Sequence, residues 1–499
     1  MSAPLKYRKP KKYDYNLVVI GGGSGGLVSS YIAAAVKAKV ALIEKHKMGG
    51  DCLNTGCVPS KALIRSAKLM AYSKRATEFG FKTAHFDFEF SDVMERVQRV
   101  IKKIEPHDSI ERFNGLGVDC ITGEAKILSP YEVQVNGKKL TTKAIIVATG
   151  ARPFVPPLKG LDQITPLTSD NLWEIRTLPK RLAVLGGGPI GAELAQCFAR
   201  FGSQVTVVEQ NETIMAREDA DVAKIISTKF KKEGIELLTG HKASSVEVNG
   251  DIKSLICEGP NGTTKKLEFD EVLVALGRRA NVTGFGLEEM GVELTESQTI
   301  KADDFLATNY SNIFVCGDVT GPYQFTHTAA HQAYYACVNS LFSPFIHFTP
   351  PWIKKKMFKV DYSVIPWATY TDPEIATVGL TESSAKQQGV KYDLTTYGID
   401  DLDRAIAEEE DHGLVKVLTK PGTDTILGAT IVGYHASDMI MEFILAMKNN
   451  FGLNAILGTI HPYPTLSEAN KFAAGNWKKA QNNDKALSLL KRFHTWRRN

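Results

Sequence analysis

The residues that first invite chemistry are Cys52 and Cys57, in GGDCLNTGCVPSK at residues 49–61. In a regular α-helix, positions five apart lie about 8.6 Å between Cα atoms from the helical rise and radius, beyond the roughly 4.4–6.8 Å of a disulfide. A bridge between them requires irregular backbone, which Gly56 allows, and Pro59 suits the first turn of a following helix, SKALIRSAKLMAYSKRA. Cys57 then falls at a helix N-terminus, where the dipole and nearby Lys61 favour a thiolate. A redox-active pair is the chemistry this spacing points to. The competing readings are two free core cysteines or half of a zinc site. Zinc wants a second ligand pair, and Cys120, Cys197, Cys257, Cys316 and Cys337 are scattered singly. Cys197 and Cys316 read as small buried hydrophobes.

The elements that must position this pair announce themselves as an internal repeat. Residues 16–44 run NLVVIGGGSGGLVSSYIAAAVKAKVALIE, and residues 181–209 run RLAVLGGGPIGAELAQCFARFGSQVTVVE. Each has an apolar run fit for a buried parallel strand, a G-x-G-x-x-G turn, helical periodicity and a second apolar run ending in Glu. The glycines are Gly21, Gly23 and Gly26 with Glu44 in the first copy, and Gly186, Gly188 and Gly191 with Glu209 in the second. In such a βαβ unit the glycines permit the turn, the approach of a pyrophosphate and close helix–strand packing, while the acid accepts from ribose hydroxyls. A lone motif is weak evidence, but two copies with correctly spaced acids imply two dinucleotides. One bound and one exchangeable redox dinucleotide make an electron-transfer enzyme.

Composition excludes other classes. The 499 residues, 43% hydrophobic and 23% charged, suit about three globular domains rather than disorder. A net charge of +5 without a dense basic block argues against a nucleic-acid partner. Seven cysteines at low density do not look like a secreted disulfide framework, so a cytoplasmic location is expected. The basic lead MSAPLKYRKPKKYDYN resembles neither a signal peptide nor a spanning helix.

The cysteine segment after GGGSGG, then ATG at 148–150, GGGPIGAE at 186–193, ALGRRAN at 275–281, CGDV at 316–319 and HPYPTLSE at 461–468, carry a resemblance. Together they resemble the class I pyridine nucleotide-disulfide oxidoreductases over nearly the whole chain. The sequence looks closest to the mercuric reductase-like flavoproteins, with dihydrolipoyl dehydrogenase and glutathione reductase as wider relatives. The resemblance implies that the first repeat binds FAD, with Glu44 on the adenosine ribose and Asp318 on the ribityl side. It matches Gly123, Thr149, Gly150, Thr326 and His327 to further FAD contacts. The second repeat would bind the nicotinamide nucleotide with help from Gly277 and Arg278. Glu209 would repel a 2′-phosphate, so NADH is expected over NADPH. By the same carry-over, Cys57 faces the flavin, Cys52 attacks the substrate, and Lys61 with Glu193 forms an ion pair near flavin N5.

The C-terminal motif departs from that family pattern. Enzymes acting on dithiols carry a His immediately before PTxxE as base, with the Glu orienting it; this sequence has Tyr463 there, then Pro464 and Glu468, with His461 two residues early. A tyrosine of ordinary pKa near ~10 is a poor base at neutral pH. The resemblance therefore favours a small disulfide or a thiol-bound metal ion as acceptor. The C-terminal cysteine pair and N-terminal carrier domain of mercuric reductases are missing. Alternatives are dihydrolipoyl dehydrogenase activity, a core-subunit role in a 2-oxo acid complex, and membrane-associated NADH:quinone electron transfer.

The expected fold is α/β. An FAD domain spans residues 1–150 and 281–345, an NAD domain 151–280, and an α+β dimerisation domain 361–499. That last domain implies a homodimer in which HPYPTLSE completes the partner subunit's site. The stretch 347–360, HFTPPWIKKKMFKV, and the tail KRFHTWRRN combine aromatic and basic residues. With the basic N-terminal lead, they allow the stretch 347–360 to contact an anionic membrane surface, but a solvated loop is the favoured reading of that stretch.

Overall fold

Residues 7–348, 358–482 and 484–498 are described by a computed structural model. Most of the stretch 347–360 lies outside the described residues. The first repeat builds the strand Tyr15–Ile20, the helix Ser24–Ala35 and the strand Val40–Glu44. Both strands are buried almost end to end, as expected of parallel strands covered on both faces. Parallel pairing continues through Val118–Thr122 on one side and Lys138–Val147 with Ile313–Val315 on the other. The late strand Ile313–Val315 returns to this sheet after the second repeat's region intervenes.

The second repeat repeats the construction: Arg181–Leu185, the helix Pro189–Phe201 and Gln204–Glu209, flanked in parallel by Glu236–Thr239 and Glu271–Val274. A short antiparallel ribbon, Ala151–Pro153 against Arg278–Ala280, joins the two regions. Residues from 366 form a five-stranded antiparallel sheet, with Ile426–Gly433 central between Glu374–Gly379 and Leu414–Thr419. Residues Asp484–Arg498 are helical, because DKALSLLKRFHTWRR is rich in helix formers.

What holds the redox segment in place is a shared core. Leu53 and Leu63 from the cysteine segment pack in one buried cluster with Met94, Val97, Trp173, Leu194 and Phe198. The cluster runs from the cysteine helices into the second repeat, so neither can shift alone. Charge ties in the third region. Lys416, fully buried on the antiparallel sheet, reaches Asp219 at 3.0 Å, Asp221 at 2.8 Å and Glu382 at 2.6 Å. Breaking a buried ion cluster strands the remaining charges. Lys416→Met is expected to cost about 3 kcal/mol in chemical denaturation; a loss below about 1 kcal/mol would show that the cluster is not what joins these regions.

Candidate active site

The two cysteines lie on either side of a break between helices. Cys52 is in the short helix Gly50–Asn54, and the helix Cys57–Lys74 begins at Cys57 itself. Between them Thr55 and Gly56 leave helical geometry, with φ −138° and −124°. A Cβ on residue 56 would meet the Asp51 carbonyl oxygen at 3.0 Å, so glycine is the residue that fits. The break does not strand polar groups. The Thr55 carbonyl accepts from the indole of buried Trp173 at 2.9 Å, and Asn54 Nδ2 donates to the Met48 and Gly50 carbonyls.

Both cysteines are free thiols, Cys57 exposed and Cys52 half-buried. The hydrogen bond from the Cys52 thiol lowers Cys57 to about 6 against the opposing effect of burial, helped by Thr326 and by the charge of Lys61. The Thr326 hydroxyl lies 3.4 Å from the Cys57 sulfur. The same Cys52–Cys57 bond, with burial, pushes Cys52 well above the usual thiol range. The pair is thus polarised, one sulfur a thiolate at neutral pH and the other a proton donor to it.

Lys61 lies one turn into the helix, where its ammonium pairs with Glu193 at 3.0 Å and sits over the Tyr370 ring at 4.1 Å. The backbone amide of Tyr370 donates to the other Glu193 oxygen at 2.9 Å. Glu193 belongs to the helix Pro189–Phe201 and is 7% exposed, so its buried charge is held by these two partners, one on each carboxylate oxygen.

A cavity of about 970 Å³ opens beside the cysteines. Cys52 and Cys57 share its wall with Gly21, Gly23, Glu44, Gly123, Thr149, Gly150, Asp318 and Thr326. The turn holds Gly21 at φ +105°, and a Cβ on Gly26 would fall 1.8 Å from the Gly21 carbonyl oxygen. The Glu44 carboxylate accepts from the Gly22 amide at 2.6 Å and the His46 amide at 2.7 Å, retaining lone pairs for ribose hydroxyls. Burial raises the Asp318 carboxyl, against Arg278 at 3.7 Å. Arg278 also pairs with Asp51 and donates to the Ala151 carbonyl at 2.7 Å, so it lines this cavity instead of standing apart in the second repeat. His327 is not among the lining residues; its Nε2 faces the Pro366 carbonyl at 2.9 Å. A cavity that joins a ribose-type acid, a glycine turn at a helix N-terminus and a dithiol fits FAD.

The second turn has the same shape. Gly186 has φ +104°, a Cβ on Gly191 would fall 2.0 Å from the Gly186 carbonyl oxygen, and one on Gly188 would meet open space. Glu209 accepts from the Gly187 amide at 2.8 Å and the Asn211 amide at 2.9 Å. Gly277, at φ +107°, accepts from the Phe154 amide.

The C-terminal motif lies outside that cavity. Tyr463 is 72% exposed and its hydroxyl donates to Asp403 at 2.8 Å, a bond that raises its pKa. Glu468 accepts from the Thr465 amide at 3.0 Å and does not touch His461. His461 faces two acceptors, the Thr459 carbonyl at 3.1 Å from Nδ1 and Glu442 at 2.9 Å from Nε2.

Comparison with known proteins decides the family. The description "Pyridine nucleotide-disulphide oxidoreductase" matches residues 15–333, and the dimerisation domain of the same name matches 365–474. The chain belongs to this oxidoreductase family. It is 35% identical over 463 residues to a dihydrolipoyl dehydrogenase of Chlamydia muridarum, covering 91% of this chain and 95% of the relative. A mercuric reductase of Bacillus cereus is 34% identical over 461 residues, covering 92% of this chain and 71% of the relative. Among solved structures, LpdA of Mycobacterium tuberculosis superposes with TM-score 0.82 at 26% identity, over 92% of this chain and 99% of that one. The protein is therefore an FAD-dependent oxidoreductase of the disulfide reductase family, using a nicotinamide nucleotide, and its dimerisation domain supports a homodimer.

For this oxidoreductase, sequence reasoning missed Trp173, Tyr370, Asp403 and Glu442. Each contributes through a contact across at least 19 residues of chain, and no local motif marks them. Arg278 was found, but not its pairing with Asp51. The polarised thiols yield a pH test. Alkylation of reduced Cys57 should rise with pH through a midpoint near 6, because the thiolate is the reacting form. In Cys52→Ala the donating thiol is removed, and the midpoint should climb toward the ordinary thiol value of about 8.5. An unmoved midpoint would show that Cys52 does not set the Cys57 thiolate.

Proposed function

We propose that the protein is a homodimeric NADH oxidoreductase whose Cys52/Cys57 pair delivers electrons to a thiol-binding metal ion. The observation that carries this reading is the lack of a free base in the C-terminal motif. Tyr463 keeps its proton by donating to Asp403. His461 is engaged at both ring nitrogens, Nδ1 by the Thr459 carbonyl and Nε2 by Glu442, and so is tied to its own segment rather than presented to a substrate. Oxidising a dithiol needs a group that removes a thiol proton, and general bases contribute about 10²–10⁴-fold. The Cys52/Cys57 pair, with Cys57 favoured as thiolate, forms a soft ligand set, and a soft metal ion binding there itself displaces the Cys52 proton to water, so no protein base is required.

Bound FAD supplies the two-electron relay between nicotinamide and sulfur. Glu44, the Gly21–Gly26 turn, Gly123, Thr149, Gly150, Asp318 and Thr326 are assigned to hold it. Cys57 keeps a thiolate on the cavity wall, and Cys52 is assigned to meet the acceptor. Lys61, anchored by Glu193, holds positive charge beside Cys57 and favours its thiolate. The Glu209 carboxylate at the end of the second repeat supports NADH, since it repels a 2′-phosphate.

Similarity to dihydrolipoyl dehydrogenases, at 35% identity, favours dithiol oxidation as the second reading. Steady-state kinetics separate the two. Mercuric ion should support NADH oxidation that disappears in Cys57→Ser, with kcat/KM for NADH at least ~10-fold above that for NADPH. Dihydrolipoamide turnover with NAD⁺ should be slow, and Tyr463→His should raise it by about 100-fold. Rapid dihydrolipoamide turnover by the unaltered protein would overturn the metal-ion reading.

A further inference from the structure

The helix Asp484–Arg498 lies beyond the segment matched to the dimerisation domain, and every residue from Lys485 to Arg498 is exposed. That exposure includes Leu487, Leu490 and Phe493, with Leu489 at 67% and Trp496 at 73%. At about 100° per residue these five apolar side chains fall over roughly half the helix circumference. Lys491, Arg492 and Arg498 occupy the other half. Arg497 falls within the apolar half, between Phe493 and Leu490, its guanidinium 6.0 Å from the Phe493 ring centroid, and its long stem lets the charge reach water from there. The single acid in the helix is Asp484.

An apolar stripe that a folded chain leaves uncovered is costly unless something else covers it. Charge chooses the partner. Protein–protein interface cores are depleted in lysine, and a second copy of this chain, itself of net charge +5, gives a basic helix no net electrostatic attraction. An anionic bilayer offers both an apolar interior and a negative surface. No helix among the described residues is long and apolar enough to cross a membrane, so the mode available to this helix is to lie in the interface. We propose that the helix Asp484–Arg498 attaches the protein peripherally to an anionic lipid surface, with Leu489, Phe493 and Trp496 inserted among acyl chains and Lys491, Arg492 and Arg498 at the headgroups. This holds whichever acceptor the cysteines serve.

The test is co-sedimentation of the full-length flavin-loaded protein with vesicles of phosphatidylcholine alone or mixed with roughly one-third phosphatidylglycerol. Binding is expected only to the anionic vesicles, strong at about 0.01 M salt and lost by about 1 M. Lys491→Gln with Arg492→Gln should weaken it by about 30-fold, from about 1 kcal/mol per charge, and Leu489→Gln with Trp496→Gln should abolish it. Both double variants should retain NADH-dependent flavin reduction and the dimer. Absence of binding to anionic vesicles at low salt, equal binding to both compositions, or binding unchanged in either variant overturns the proposal. Dissociation of the dimer by the apolar variant, seen in sedimentation velocity, also overturns it, by assigning the helix to contact between two copies.

Discussion

The active site depends on a two-residue interruption of helix between Cys52 and Cys57. Had the chain stayed helical through Thr55 and Gly56, the two sulfurs would part and Cys57 would sit inside a helix rather than at its start. Such a break normally exposes backbone groups that cost free energy when buried. Here the Thr55 carbonyl is satisfied from the neighbouring region by Trp173, whose ring packs in the same core as Leu53. The break is therefore stable only in the assembled fold. Cysteine geometry and the docking of the two repeat-containing regions are one constraint.

Electrostatics follow from that placement. Starting a helix at Cys57 puts Lys61 one turn along it, within reach of Glu193 on the second repeat's helix and over Tyr370 of the antiparallel region. One ammonium thus meets all three parts of the chain and acts on the Cys57 thiolate. Its anchoring matters more than its presence, because a free lysine would swing into water and its field at the sulfur would be screened. Arg278 does the equivalent for the acids, reaching both Asp51 and Asp318 on the wall of the cavity.

Local chemistry was legible in the sequence. The paired glycine turns, the acids ending each second strand and the forced break between the cysteines follow from spacing and backbone sterics, and the structure builds each as a local feature. Long-range partners were not legible. Glu442 reaches His461 and Asp403 reaches Tyr463 only through the packing of helices that carry no motif. The tail helix was not anticipated either, although its Ala, Leu, Lys and Arg content sustains one.

Dimerisation and lipid attachment bear on each other. One short amphipathic helix, like one lipid chain, holds a protein to a membrane only marginally and reversibly. A two-fold dimer carries two such helices, and linkage converts the second contact into an intramolecular event of high effective concentration. The gain requires both helices to reach the same surface, which a two-fold axis along the membrane normal provides and an axis in the membrane plane denies. The direction of the dimer axis relative to the helices Asp484–Arg498 therefore determines whether attachment is lasting or transient, independently of the strength of either helix alone.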